Sequence, residues 1–137
     1  MSPFIVVDTN VLFAALVSTR SRLRETLFAD VPSRFCCPRF LFVELFKHKD
    51  RLLAATELSE DELLDALNAL LARIRFADES AIAIGTWLEA HRLCREIDQK
   101  DTPFVALTLH LDGRLWTEDE ELKRDLRAKG FNSFFEP

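Results

Sequence analysis

The stretch Val6-Val7-Asp8-Thr9-Asn10 sets a carboxylate directly after a β-branched apolar run, where a strand should be ending and a helix beginning. Two more acids stand at junctions of the same kind: Asp101 enters a helical stretch through Thr102-Pro103, and Asp119 follows Leu115-Trp116-Thr117. Each alone could be a helix cap, since aspartate is a preferred N-cap residue. Glu44 has no such explanation, because it interrupts Phe40-Leu41-Phe42-Val43-Glu44-Leu45-Phe46 in mid-helix, and a carboxylate beside a core face is costly unless paired. An ion pair with Lys47 or a contact with His48 would satisfy it, and so would a metal ion. Four carboxylates at one rim repel one another, so some should protonate unless hard divalent cations hold them ionised. Mg²⁺ or Mn²⁺ is the natural guest.

The elements that would carry these acids alternate between strand and helix. Residues 4–7 read as a short buried strand, followed by a helix from about Asn10. A weaker strand is expected over 34–37, then a helix over 38–55 with Pro38 in its first turn. Ser59-Glu60-Asp61-Glu62 opens another helix as a capping box, with Leu63, Leu64, Leu67, Leu70 and Leu71 at helical spacing. A short strand at Arg75-Phe76, a helix over 79–97, a helix begun by Pro103 and ended by Gly113, a strand over 114–117, a helix over 120–129 and an edge strand over 131–135 complete the chain. Such alternation indicates an α/β fold with a mainly parallel central sheet. In open α/β sheets ligands sit beyond the carboxyl ends of the strands, which brings Asp8, Asp101 and Asp119 towards one rim.

Composition limits the alternatives. The 137 residues, 48% of them hydrophobic, suit a single domain spanning 1–137 with one core. No apolar run approaches the ~18 residues of a membrane span and no signal-peptide pattern opens the chain, so a cytoplasmic protein is expected. Cys36, Cys37 and Cys94 match neither a disulfide framework nor paired zinc spacing and are read as buried thiols. A net charge of −5 argues against a general nucleic-acid coating protein but leaves room for a local phosphate site. The basic groups Arg20, Arg22 and Arg24; Lys47, His48, Lys49 and Arg51; and Lys123, Arg124, Arg127 and Lys129 are read as solvated helix faces. His48, His91 and His110 form no motif with one another. Apolar surface on 131–135 and on the leucine-rich helix over 63–71 leads to the expectation of a homodimer.

Asp8-Thr9-Asn10 after a hydrophobic strand, Glu44 in a later helix, "DTPFVALTL" from Asp101 and "LWTED" from Leu115 together resemble the PIN-domain nucleases over essentially the whole chain. The resemblance implies a PIN-like three-layer α/β/α fold and an acidic quartet of Asp8, Glu44, Asp101 and Asp119, with Asn10 and Thr117 as the polar residues that hold it. Asp98, three residues before Asp101, is taken as an auxiliary acid, and Glu118 and Glu120 as surface residues. The family's usual activity is metal-dependent cleavage of RNA, and many small bacterial members are VapC-like toxins held inactive by a partner protein. An endoribonuclease using Mg²⁺ or Mn²⁺ is therefore implied, acting on single-stranded or structured RNA and paired with an antitoxin. Water activated by the cation would attack the phosphodiester, and no serine, cysteine or lysine nucleophile is needed.

Other classes fit less well. A receiver-type signalling domain needs a lysine on a late strand, where "RLWTED" supplies acids. A phosphatase of the haloacid dehalogenase class needs a second aspartate two residues after the first, where this chain has Asn10. P-loop glycines and lysine are missing. A PIN fold kept only for binding RNA or a partner is the remaining alternative.

Overall fold

The computed structural model describes residues 3–18, 22–29 and 34–137. The expected basic residue Arg20 lies outside them. Four short strands form one all-parallel sheet: β1 (Ile5–Val7), β2 (Phe35–Pro38), β3 (Ile74–Ala77) and β4 (Arg114–Trp116), in the order β3-β2-β1-β4. Between and after them run α1 (Thr9–Val17), α2 (Arg22–Ala29), α3 (Phe40–Lys47), α4 (Lys49–Ala55), α5 (Glu60–Leu71), α6 (Ile84–Cys94), α7 (Thr102–Leu111) and α8 (Glu120–Ala128).

The pleat divides each strand between two cores, because successive side chains point to opposite faces. Ile5, Val7, Phe35, Cys37 and Trp116 pack on one side with Val11, Leu12 and Leu16 of α1, Leu41 of α3 and Leu70 of α5. Val6, Cys36 and Leu115 pack on the other with Leu93 of α6, Phe104 and Leu107 of α7, and Leu122 and Leu126 of α8. Helices therefore cover both faces, giving the three α/β/α layers; β1 and β2 are buried and apolar along their whole length, while β3 and β4 each carry an exposed arginine, Arg75 and Arg114. All three cysteines are free and buried, as read from the sequence. Among the described residues no helix is long and apolar enough to cross a membrane.

Six expectations need correction. Pro38 does not start a helix: it ends β2 opposite Ala77. The single helix over 38–55 is two, because His48, at φ −105° and ψ 15°, leaves helical geometry and separates α3 from α4. The helix over 79–97 opens as a 3₁₀ turn, Glu79–Ala81, and α6 proper begins at Ile84. Gly113 does not make the turn after α7, since Asp112 adopts the left-handed conformation, at φ 50°. The glycine serves close approach instead: a Cβ there would lie 2.6 Å from the Phe4 carbonyl oxygen. The edge strand over 131–135 reduces to one parallel bridge, Leu115 to Phe134. Phe131 and Phe134 are buried against each other and the α8 core, so that segment does not offer the apolar surface expected of it. The helix α2 was anticipated only through the reading of Arg22 and Arg24 as a solvated helix face, with no bounds given.

Candidate active site

Asp8 sits one residue past β1, and its backbone N–H still donates to the Trp116 carbonyl oxygen at 2.9 Å, continuing the β1–β4 pairing. That pairing carries Asp8 to the carboxyl edge of the sheet beside Thr117. As the N-cap of α1 it accepts from the Thr9 backbone N–H at 2.7 Å through Oδ1. Its Oδ2 accepts from the Thr117 hydroxyl at 2.8 Å and from Asn10 Nδ2 at 3.2 Å. Asn10 Nδ2 also reaches Thr117 Oγ1, at 3.1 Å, and Asn10 Oδ1 accepts from the Glu118 N–H at 3.1 Å. Thr117 Oγ1 in turn accepts from the Asp119 N–H at 3.2 Å, and Asp119 caps α8 by accepting from the Leu122 N–H at 3.0 Å. One polar clasp thus ties the first strand–helix junction to the last and holds a single orientation of the Asp8 carboxylate.

A cavity of about 160 Å³ opens beside this clasp, lined by Asp8, Thr9, Asn10, Phe13, Glu44, His48, Arg51, Asp98, Lys100 and Asp101. Four of the five sequence-identified acids line it, Asp98 included. Asp119 does not line it, yet its charge acts on both Asp8 and Asp101. Glu44 is buried on α3, and its Oε2 lies 3.6 Å from His48 Nε2. Of the two local partners considered for it, His48 is the one in reach. Asp98 caps the 3₁₀ turn Gln99–Asp101 through the Lys100 N–H at 3.0 Å. Asp101 is the N-cap of α7 by position, but its side chain makes no capping hydrogen bond.

The electrostatics follow from burial and crowding. Asp8 rises from its ordinary 3.8 to about 6, chiefly by desolvation; the hydrogen bonds from Thr117 and Thr9 oppose the rise, and the charges of Asp119 and Glu44 add to it. Asp101 rises further, to about 8, again by burial first and then by Asp8, Asp98, Asp119 and Glu44. The helix dipole does not keep Asp101 ionised, contrary to what its cap position suggests: the local acids outweigh half a unit of charge at a helix end. Among the described residues no three His, Cys, Asp or Glu side chains stand close enough to enclose an ion unaided. The charged donors among the lining residues are nonetheless carboxylates, whose oxygens suit Mg²⁺ or Mn²⁺, and their mutual repulsion is what a cation relieves.

Sequence reasoning missed Arg51 and Lys100 as part of this cavity and took His48 for a packed or exposed helix residue. Glu44, His48 and Arg51 are spaced i, i+4, i+7, the periodicity of one helical face, and that was the signal. His91 and His110 are exposed, and Glu118 and Glu120 are surface residues as read.

An all-parallel α/β/α sandwich with acids gathered past the strand ends is the architecture of a PIN-like fold. The family model for the PIN domain matches residues 6–128, and the chain belongs to that family, whose members are generally nucleases. Among solved structures it is similar to a chain in the crystal structure of VapBC2 from Rickettsia felis bound to a DNA fragment from their promoter, with 15% identity and a TM-score of 0.67. The likeness covers 88% of this chain and 92% of that one. No curated protein sequence matches.

Proposed function

We propose that the chain is a divalent-metal-dependent endoribonuclease, confined to one domain and acting in the cytoplasm. The observation that carries this reading is the convergence of Asp8, Glu44, Asp98 and Asp101 on one cavity at the carboxyl edge of the sheet, where two of them are held far above the usual carboxylate range. Asp8, Glu44 and Asp101 would hold Mg²⁺ or Mn²⁺, with Asp119 completing the quartet and Asp98 assisting. When bound, the ion supplies positive charge for the phosphate oxygens and makes attacking water more acidic. Thr117 and Asn10 keep the Asp8 carboxylate aimed, as outer hydrogen bonds do for metal ligands. Glu44, beside His48, is placed to orient the attacking water. The openness of the carboxylate ring suits Mg²⁺, which keeps several waters and takes few protein ligands.

The same openness favours the second reading, a PIN fold that binds RNA or a partner without cutting. Incubation of a short single-stranded RNA with the chain in Mn²⁺, in EDTA, and with Asp8→Asn separates the two. Cleavage only by the wild type in Mn²⁺ supports the enzyme; retained RNA binding with no cleavage in any arm establishes the module.

A toxin–antitoxin role rests on different observations. Leu16, Phe42, Phe46, Leu53, Leu63 and Leu64 line an apolar groove of about 470 Å³ between α1, α3, α4 and α5. Phe46 is 70% exposed and Leu64 57%, a surface a partner would cover. The similar solved chain is part of a VapBC complex. We assign the groove to an antitoxin. Self-association would then use another face, and α6 offers exposed Ile84 and Leu88 at adjacent turns.

A further inference from the structure

Two cations share the acid-lined cavity. Arg51 on α4 and Lys100 in the 3₁₀ turn both line it. In a cavity bearing four acids a flexible cation should collapse onto a carboxylate, since an opposite charge is the strongest partner in reach. Neither does so: among the described residues neither comes within 4.0 Å of a carboxylate oxygen, whereas Arg39, Arg92, Lys123 and Arg127 all do.

What holds Arg51 is a ring. Its guanidinium carbon lies 4.6 Å from the centre of the Phe13 ring, on α1, which also lines the cavity. A guanidinium drawn over a ring is restrained by cation–π attraction while no carboxylate takes its N–H groups, and those donors match two oxygens of a phosphate. Lys100 is carried by a turn pinned through the Asp98 cap, which sets its backbone though its ammonium remains a mobile point charge. One cation stands on the α4 side of the acids and the other on the turn that leads into Asp101.

We propose that Arg51 and Lys100 are a pair of phosphate grips, taking the backbone phosphates on either side of the one that enters among the acids. The proposal rests on the nuclease reading and deepens it, since the ligand is the phosphate backbone of a single strand. It accounts for how a chain of net charge −5 admits a polyanion to a cavity lined by four acids. Grips on neighbouring phosphates hold the strand without reading bases, so they set register and not sequence preference.

The test is fluorescence anisotropy of a labelled short single-stranded RNA on the Asp8→Asn chain in Mn²⁺, titrated across salt concentrations. Arg51→Gln and Lys100→Gln are each expected to weaken binding about tenfold and to reduce the slope of log affinity against log salt by about 0.7, the value for one phosphate contact in a single strand. Arg51→Lys should restore the slope but only part of the affinity, because an ammonium lacks the two-pronged edge. Arg92→Gln, which removes a cation already committed to Glu89, should change neither. RNA bound with an unchanged slope in both cavity variants overturns the grips while leaving the nuclease reading intact. An unchanged slope together with a lower melting temperature of metal-free Arg51→Gln would make Arg51 a neutraliser of the acids, and also overturns the proposal. A correctly folded wild-type chain that in Mn²⁺ neither binds nor cuts the RNA removes the nuclease reading and the grips with it.

Discussion

Asp98 and Asp101 are three residues apart and both reach the cavity, but their carboxylates are differently committed. Asp98 spends an oxygen on the Lys100 N–H, whereas Asp101 makes no capping bond, lies deeper and carries the larger burden of like charge. Asp101→Asn is therefore expected to remove cleavage and most Mn²⁺ affinity, and Asp98→Asn to slow single-turnover cleavage about tenfold; calorimetric titration with Mn²⁺ beside the RNA assay checks both. Asp8→Asn should cost roughly a thousandfold in rate, since charge stabilisation by a bound ion amounts to several kcal/mol and about 1.4 kcal/mol is a factor of ten. Because Asp101 must lose its proton to bind a cation, Mn²⁺ affinity should rise with pH up to about 8, roughly tenfold per unit for one released proton. An affinity flat between pH 6 and 8 would show that Asp101 is no ligand. At this scale the acids were legible from sequence, because each stands where an apolar run meets a helix start or, for Glu44, where a polar residue breaks a core stripe. The charge state of Asp101 was not, because it depends on burial first and then, beside the local Asp98, on Asp8, Asp119 and Glu44, which come from three other places in the chain.

At the level of elements, the site depends on where helices begin and how closely strands approach. Gly113 lets the chain pass the Phe4 carbonyl on its way into β4, and β4 is what brings Thr117 to Asp8. Gly113→Ala should thus cost about 1–3 kcal/mol in urea unfolding, as other overpacked positions do, and should weaken the clasp along with the fold. Ser59→Ala, which breaks the capping box of α5, should cost about 1 kcal/mol and leave cleavage unchanged. That capping box, the leucine periodicity of α5 and the β-branched first strand were readable because each is a local pattern. The division of α3 from α4 was not, since the helical spacing of Glu44, His48 and Arg51 runs on across the break and the departure of His48 from helical geometry has no local mark. The same holds for 131–135: its phenylalanines look like strand residues, but they are consumed by packing against α8 and Trp116.

For the whole molecule the acids couple stability to pH. Both Asp8 and Asp101 have folded values raised above 3.8, so the folded chain binds more protons than the unfolded one between about pH 4 and 8. Metal-free stability should accordingly be greatest at the acid end of that window and fall as pH rises through about 6 and then about 8. Thermal melts in EDTA across this range should show the decline, and millimolar Mn²⁺ should flatten it by binding the folded state alone. Light scattering should return a mass above the monomer, reduced to the monomer by Leu88→Ser if α6 is the contact. The strand order has a consequence for synthesis. Among the described strands β1 is made before the others, and it waits for partners at 35–38 and 114–116. Such distant pairing slows folding, because the entropy of closing a long loop is lost before the contact returns anything. Asp8 gains its Thr117 partner only after 109 further residues have been made. A ribosome-bound chain shorter than that lacks the closed clasp, so the proposed site is completed in one step with the last strand.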